Sequence, residues 1–327
     1  MQDAYGRPIT YLRVSITDRC NLRCVYCMPE EGVPWQSHEN ILRFEEIVAV
    51  VRVMAEQGIR SVRLTGGEPL VRKGVVDLVR MIADIPGIED VSLTTNGILL
   101  EKYAADLAKA GLKRVNVSLD TLQAEKFARI TRGGCVEKVW RGIQAAESHG
   151  LQPVKINVVV MRSVNDEELL DMARLTQVHP WHIRFIELMP VNNRYFWGPG
   201  YPMPDDAYFS IGEMLSVLQP LGLQRIPKSV GSGPAREYCI PGAPGKIGFI
   251  SPLGEHFCEN CNRLRLTADG CLRPCLLSDT EVAVREVLRA GGDILPHIQQ
   301  AVALKPEGHE LALEHLPNRR CMRDIGG

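Results

Sequence analysis

Arg13-Val14-Ser15-Ile16-Thr17-Asp18-Arg19-Cys20-Asn21-Leu22-Arg23-Cys24-Val25-Tyr26-Cys27 is the stretch that decides the fold. A strand-like run ends at Thr17, and three cysteines follow with C-x3-C-x2-C spacing. A loop just past a strand end can bring three such thiolates onto one small metal centre. Iron–sulfur clusters are usually held by four cysteines. Three ligands on a four-iron cluster leave one iron open to bind something else. The competing reading is a structural zinc knuckle or three buried thiols. Structural zinc favours four ligands in CxxC-type pairs, and no fourth ligand lies nearby in the sequence.

Outward from this stretch, strand and helix patterns alternate from Tyr11 to Glu187. Strands are expected at Tyr11–Thr17, Ser61–Thr65, Val91–Thr95, Arg114–Leu119, Val154–Met161 and His182–Glu187. Helices fall between them. Phe44, Ile47, Val48, Val51, Met54 and Ala55 lie at helical spacing before Gly58, and Tyr103, Leu107, Ala110 and Val139, Ile143, Ala146 repeat the theme. Six βα units imply a parallel sheet with helical crossovers. The fold class is α/β, a partial TIM-like (β/α)6 barrel, with an open doubly wound sheet as the alternative.

Strand parity favours the barrel. One face carries Leu12, Val14, Ile16, Val62, Leu64, Val115, Val117, Leu119, Val154, Ile156 and Val158. The opposite face carries Arg13, Ser15, Thr17, Arg63, Thr65, Ser92, Thr94, Asn116, Ser118, Lys155, Asn157, His182 and Arg184. An ordinary barrel interior is filled with Val, Ile and Leu. A polar lumen points to a cavity for a large polar ligand.

The 327 residues suffice for one large domain, or one with a smaller companion. Net charge is −1, so nothing global points to nucleic acid or an anionic membrane, and any anion site is local. No apolar run approaches a membrane span, and Met1–Gly6 lacks a signal-peptide core. The expectation is a cytoplasmic protein whose ten cysteines serve metal rather than disulfides. Composition shifts after Pro190, dividing the chain into 1–190 and 191–327. In the second part, 192–204 reads as a linker and Ile211–Leu218 as a short helix. Lys246–Ile250 reads as a strand, and Ser278-Asp279-Thr280-Glu281 as a capping box opening a helix through Leu288.

Two further motifs carry chemistry. Thr65-Gly66-Gly67-Glu68-Pro69 ends the second strand, where glycines let backbone approach a ligand closely. Cys258-Glu259-Asn260-Cys261 and Cys275 form C-x2-C-x13-C around Arg263-Leu264-Arg265. Taken alone, this last set reads more readily as zinc, with Cys271 available as a fourth thiolate.

The first cysteine loop paired with Gly66-Gly67-Glu68-Pro69 resembles the radical SAM enzymes. Adding the second cysteine triplet, its enclosed arginines and the terminal Gly326-Gly327, nearly the whole chain resembles the GTP 3′,8-cyclase family of molybdenum cofactor biosynthesis. That resemblance implies two [4Fe-4S] clusters and S-adenosylmethionine, with a C-terminal extension that carries the second cluster and closes the barrel. Cys20, Cys24 and Cys27 would hold the first cluster, whose open iron chelates S-adenosylmethionine. Cys258, Cys261 and Cys275 would hold the second, whose open iron contacts guanine. Cys271 departs from this plan, because a fourth thiolate would close that iron. Cys135, Cys239 and Cys321 are expected to be bystanders.

Tyr26, Gly67, Ser118 and Met189 become cofactor contacts by the same resemblance, and Arg13, Arg63, Thr94, Lys155, Arg263, Leu264 and Arg265 contacts to GTP. Several fixed cations suit a triphosphate. Arg13, Gly326 and Gly327 are assigned to catalysis, the tail entering the lumen to order Arg13, Arg263 and Arg265. The implied reaction is radical abstraction of the C3′ hydrogen of GTP, followed by closure onto guanine C8. Its product is (8S)-3′,8-cyclo-7,8-dihydroguanosine 5′-triphosphate. Implied partners are a low-potential electron donor, the pyranopterin monophosphate synthase of the next step, and a second copy in a homodimer. The rival readings are a radical SAM enzyme that modifies a peptide with an auxiliary cluster, and a non-enzymatic redox or zinc protein. About eight iron per chain and no stoichiometric zinc would separate the last from the others.

Overall fold

A computed structural model describes residues 1–189, 197–227, 233–254, 257–309 and 320–326. The strands are β1 (Tyr11–Ser15), β2 (Ser61–Thr65), β3 (Asp90–Thr95), β4 (Arg114–Ser118), β5 (Lys155–Val160), β6 (His182–Glu187), β7 (Gln224–Arg225), β8 (Arg236–Cys239), β9 (Lys246–Ile250), β10 (Arg263–Leu266), β11 (Cys271–Arg273) and β12 (Val282–Ala283). They share one sheet in the order β12-β11-β10-β1-β2-β3-β4-β5-β6-β9-β8-β7. Strands β1 to β6 pair in parallel and in sequence, as the six expected βα units require. The chain after residue 190 adds a parallel strand at each flank, β10 beside β1 and β9 beside β6. Antiparallel strands continue outward from both.

The helices α1 (Phe44–Glu56), α2 (Val75–Ala83), α3 (Leu100–Lys109), α4 (Ala124–Thr131), α5 (Val136–Ser148) and α6 (Leu169–Val178) lie between the first six strands. Their apolar stripes cover the apolar strand face, and Leu12, Val14, Val62, Leu64, Val115, Val117 and Ile156 are buried in one core with them. Full burial of each such side chain contributes about 1.5–3 kcal/mol. The polar face points the other way, and the sheet curls around it. In a flat sheet β1 and β6 would stand roughly 24 Å apart at about 4.8 Å per strand. Yet Arg184 on β6 and Arg13 on β1 lie close enough to repel one another electrostatically.

Later elements are α7 (Ile211–Leu218), α8 (Arg285–Arg289), α9 (Leu295–Ala303) and α10 (Met322–Ile325). Helix α7 begins on a capping box in which Ser210 Oγ accepts from Glu213 N. The box expected at Ser278–Glu281 does not form. Glu281 instead meets the fully buried guanidinium of Arg273 and also accepts from Arg320 Nε at 2.6 Å. Desolvation makes an unpaired buried guanidinium costlier than a missing cap. The chain therefore enters β12, and the helix shrinks to Arg285–Arg289. Residues 192–196 of the expected 192–204 linker lie outside the described residues.

Candidate active site

The functional loops leave the C-terminal ends of the parallel strands, where barrel sites form. After β1, the cysteine loop is stitched to its surroundings by backbone. Arg23 N donates to Thr131 O (3.0 Å), Val25 N to Ile130 O (2.9 Å), and Cys27 N to Cys24 O (2.9 Å). The loop after β2 is laid directly against it. Gly67 N donates to Thr17 O and Glu68 N to Arg19 O, both at 2.8 Å. A Cβ on Gly67 would strike the Arg19 carbonyl, so glycine is required by this close approach. Glu68 is buried and accepts from Leu70 N (3.0 Å), Thr95 Oγ1 (2.8 Å) and Asn96 N (2.7 Å). Burial still lifts its pKa to about 7. Asn96, fixed in this way, donates from Nδ2 to Asn21 Oδ1 at 2.8 Å and lies 3.9 Å from Cys20 Sγ. Glu68 thus ties the β2 and β3 loops to the cysteine loop.

Burial raises the Cys20 thiol to about 11 and the Cys27 thiol to about 12. Cys24 rises through burial and then repulsion from Cys27, Asp120 and Cys20. The three sulfurs therefore share one desolvated site in which their anionic forms repel. Such a site favours thiolates only with compensating cationic metal, and the donor set fits a cluster. Tyr26 donates its hydroxyl to Asp120 Oδ2 at 2.8 Å, and Val159 N holds the other oxygen at 2.9 Å. Ser118 ends β4, two residues before Asp120. Met189 packs against Leu277 and Ile325, in a cluster that Cys275 and Met322 also join.

In the second triplet, Cys258 lies within electrostatic reach of both Cys275 and Cys261. Burial acts upward on Cys261, but Arg263 and Lys305 outweigh it and bring the thiol down to about 7. Cys271 faces elsewhere. After burial, its electrostatic neighbours are Asp269, Glu281 and Arg320, and its backbone pairs with Thr267. Among the described residues, no three His, Cys, Asp or Glu side chains converge as a single-ion site. A four-iron cluster places each thiolate on a different iron, so its three ligands need not converge on one point.

A band of cations runs from the second triplet across the sheet. Register aligns Arg265, Arg13, Arg63 and Ser92 across β10, β1, β2 and β3. It likewise aligns Thr94, Asn116, Lys155, His182 and Lys246 from β3 to β9. Burial, then neighbouring cations, lowers Lys155 to about 7. Arg13 falls to about 10, Arg184 to about 9, and Arg265 well below the usual arginine value, burial again leading. His182 falls to about 4 for the same reasons. Among the described residues, few acids offset this band. Asp90 is paired with Arg114, and Glu237 lies 3.7 Å from Lys246. Thr94 borders the band through Asn116. Leu264 does not face it, since its side chain is in the apolar core and only its backbone is available.

The C-terminal segment reaches this band at Arg265. Arg320 donates to both oxygens of Asp269 (3.0 and 2.9 Å), Arg323 Nη2 donates to Pro34 O (3.0 Å), and Gly326 O accepts from Arg265 Nη1 at 3.0 Å. Gly326 is in the left-handed region at φ +76°, and a Cβ there would meet Thr65 Cγ2 at 2.6 Å. Gly327 lies outside the described residues. Strand parity puts Arg184 on the polar face, but no motif singles it out. Parity was the available signal, and the structure buries Arg184 with Nη2 donating to Asn116 Oδ1 at 2.7 Å. Asp120, Asn96 and Lys305 had no spacing signal.

The Radical SAM superfamily matches this chain over residues 14–176, and the Molybdenum Cofactor Synthesis C family matches 181–311. The GTP 3′,8-cyclase of Pelotomaculum thermopropionicum is 52% identical, and that of Moorella thermoacetica 51%, each over all of both chains. Among solved structures, anSMEcpe with bound AdoMet superposes at TM-score 0.62 with 17% identity, covering 97% of this chain and 86% of that one. Streptococcus suis SuiB bound to S-adenosylmethionine gives 0.60 with 15% identity, covering 90% and 68%. At such identities these two show the fold alone.

Proposed function

The chain belongs to the GTP 3′,8-cyclase family of the radical SAM superfamily, and from that premise we propose how its residues divide the work. The protein cyclises GTP to (8S)-3′,8-cyclo-7,8-dihydroguanosine 5′-triphosphate in molybdenum cofactor biosynthesis. One observation carries the substrate reading. A buried band of mutually repelling Arg and Lys side chains reaches the second cysteine triplet, and a bound polyanion relieves that repulsion. A peptide without several acidic side chains gives no comparable relief.

Cys20, Cys24 and Cys27 hold one [4Fe-4S] cluster and Cys258, Cys261 and Cys275 the other. When bound, the first cluster and S-adenosylmethionine supply the 5′-deoxyadenosyl radical that removes the C3′ hydrogen. The chain's own residues position and shield. Gly67 and Ser118 line the cofactor side, and the Tyr26–Asp120 pair fixes its wall. Met189 borders both the cofactor and the tail. Arg13, Arg63, Lys155, Arg263 and Arg265 hold the triphosphate and ribose, with Thr94 and the Leu264 backbone beside them. Guanidinium forks suit phosphate oxygens. Gly326 fixes the direction of Arg265 through its carbonyl.

A low-potential electron donor, a homodimer and hand-over to the pyranopterin monophosphate synthase complete the proposal. The free thiols that it requires support a cytoplasmic location. Among the described residues, no helix is long and apolar enough to cross a membrane. Metal analysis after anaerobic reconstitution tests the ligand assignment. About eight iron per chain are expected, falling to about four in Cys24→Ala and in Cys261→Ala. Stoichiometric zinc in place of the second iron set would overturn it.

A further inference from the structure

Lys305 follows α9 and is 4% exposed. Its ammonium donates to Cys261 Sγ at 3.3 Å, Arg263 O at 2.9 Å and Pro274 O at 2.8 Å, which uses all three of its N–H bonds. The acceptors sit on the C-x2-C segment, at the start of β10, and on the residue before Cys275. Lys305 therefore spans the two halves of the second triplet. Its own loop is held from outside. Arg7 donates to Cys258 O (2.8 Å), Glu307 O (2.7 Å) and Pro306 O (2.6 Å), while Asp3 Oδ2 accepts from Arg7 Nε at 2.6 Å. Among the described residues, no carboxylate forms an ion pair with Lys305. A buried lysine is almost never left without a counter-charge. Here the anionic partner within reach is the sulfur of Cys261.

We propose that Lys305 is a positioning residue for the second iron–sulfur centre. Its ammonium holds the C-x2-C segment against Cys275 and, through its hydrogen bond to Cys261, raises the reduction potential of the cluster on that triplet. The proposal rests on the ligand assignment above. A donated hydrogen bond and a positive charge at a ligand sulfur stabilise the reduced, more negative cluster, and such contacts are among the levers that set cluster potentials. Arg7 keeps the loop, and hence the ammonium, in register with the sulfur.

The test is a redox titration followed by electron paramagnetic resonance on full-length, anaerobically reconstituted protein, parent against Lys305→Met and Lys305→Arg. The signal of the first cluster is identified by its change when S-adenosylmethionine is added. Lys305→Met is expected to make the second cluster harder to reduce by about tenfold in the oxidised-to-reduced ratio. For a one-electron couple that is about 59 mV to lower potential. Lys305→Arg, which keeps charge and donors, is expected to stay nearer the parent. Loss of the second cluster in Lys305→Met with retention in Lys305→Arg also supports the proposal. An unchanged midpoint in Lys305→Met, or equal cluster loss in both variants, overturns it. A parent protein with only one cluster would instead overturn the ligand assignment.

Discussion

Arg184→Met separates a substrate-binding cation from a structural one by the signs of two effects. Arg184 is buried, and its folded-state pKa drops to about 9 through burial and then the charges of Arg63, Arg13 and Arg114. At about 1.36 kcal/mol per pKa unit, holding it charged costs the free protein on the order of 4–5 kcal/mol. The substitution also removes the 2.7 Å bond to Asn116, a loss of about 1–3 kcal/mol. The first effect is larger, and methionine fills similar volume. The substrate-free variant is therefore expected to melt no earlier than the parent. GTP binding moves the other way. A charge-assisted hydrogen bond to phosphate is worth about 1.5–3 kcal/mol, so affinity should fall roughly 10- to 150-fold. Differential scanning calorimetry without substrate and isothermal titration with GTP, both anaerobic, read the two effects. Unchanged GTP affinity with a lowered melting temperature would refute the reasoning and make Arg184 a packing residue.

Lys155 gives a pH prediction. Its pKa is about 7 in the folded, substrate-free protein against an ordinary 10.5, so the unfolded chain binds more protons between those values. Its contribution to stability therefore increases as pH rises from about 7 toward 10.5. A bound triphosphate stabilises the ammonium, so GTP binding should take up a proton and weaken over the same range. Titration calorimetry in buffers of different ionisation enthalpy measures that uptake, and it should vanish in Lys155→Met. Cys271→Ser should retain parental iron content and GTP cyclisation, because the environment of Cys271 is Asp269, Glu281 and Arg320 rather than the other cysteines. Loss of about four iron per chain would make it a ligand.

Periodicity made the parallel half of the fold legible. Leu12, Val14, Val62, Leu64, Val115 and Val117 alternate with Arg13, Arg63, Ser92 and Asn116, and burial in a helix-covered core follows that alternation. The flanking strands were harder to see. β10 is Arg-Leu-Arg-Leu, too short to announce its place beside β1, and that pairing is long range. The capping-box reading at Ser278 failed because Arg273, eight residues from Glu281, claimed the carboxylate. Local sequence could not show that Arg273 would be buried. In the site, cysteine spacing and strand parity exposed the ligands and the cations. The residues that orient them were silent, since Lys305 is only a lysine after a helix until the fold brings it to Cys261.

The fate of one hydrogen tests GTP cyclisation most directly. Reconstituted protein should be incubated anaerobically with dithionite, S-adenosylmethionine and GTP carrying deuterium only at C3′. Mass spectrometry of the products should then find deuterium in 5′-deoxyadenosine and a cyclised triphosphate formed in proportion to it. Unlabelled 5′-deoxyadenosine accompanied by unchanged GTP would contradict the assignment of the cationic lumen to GTP.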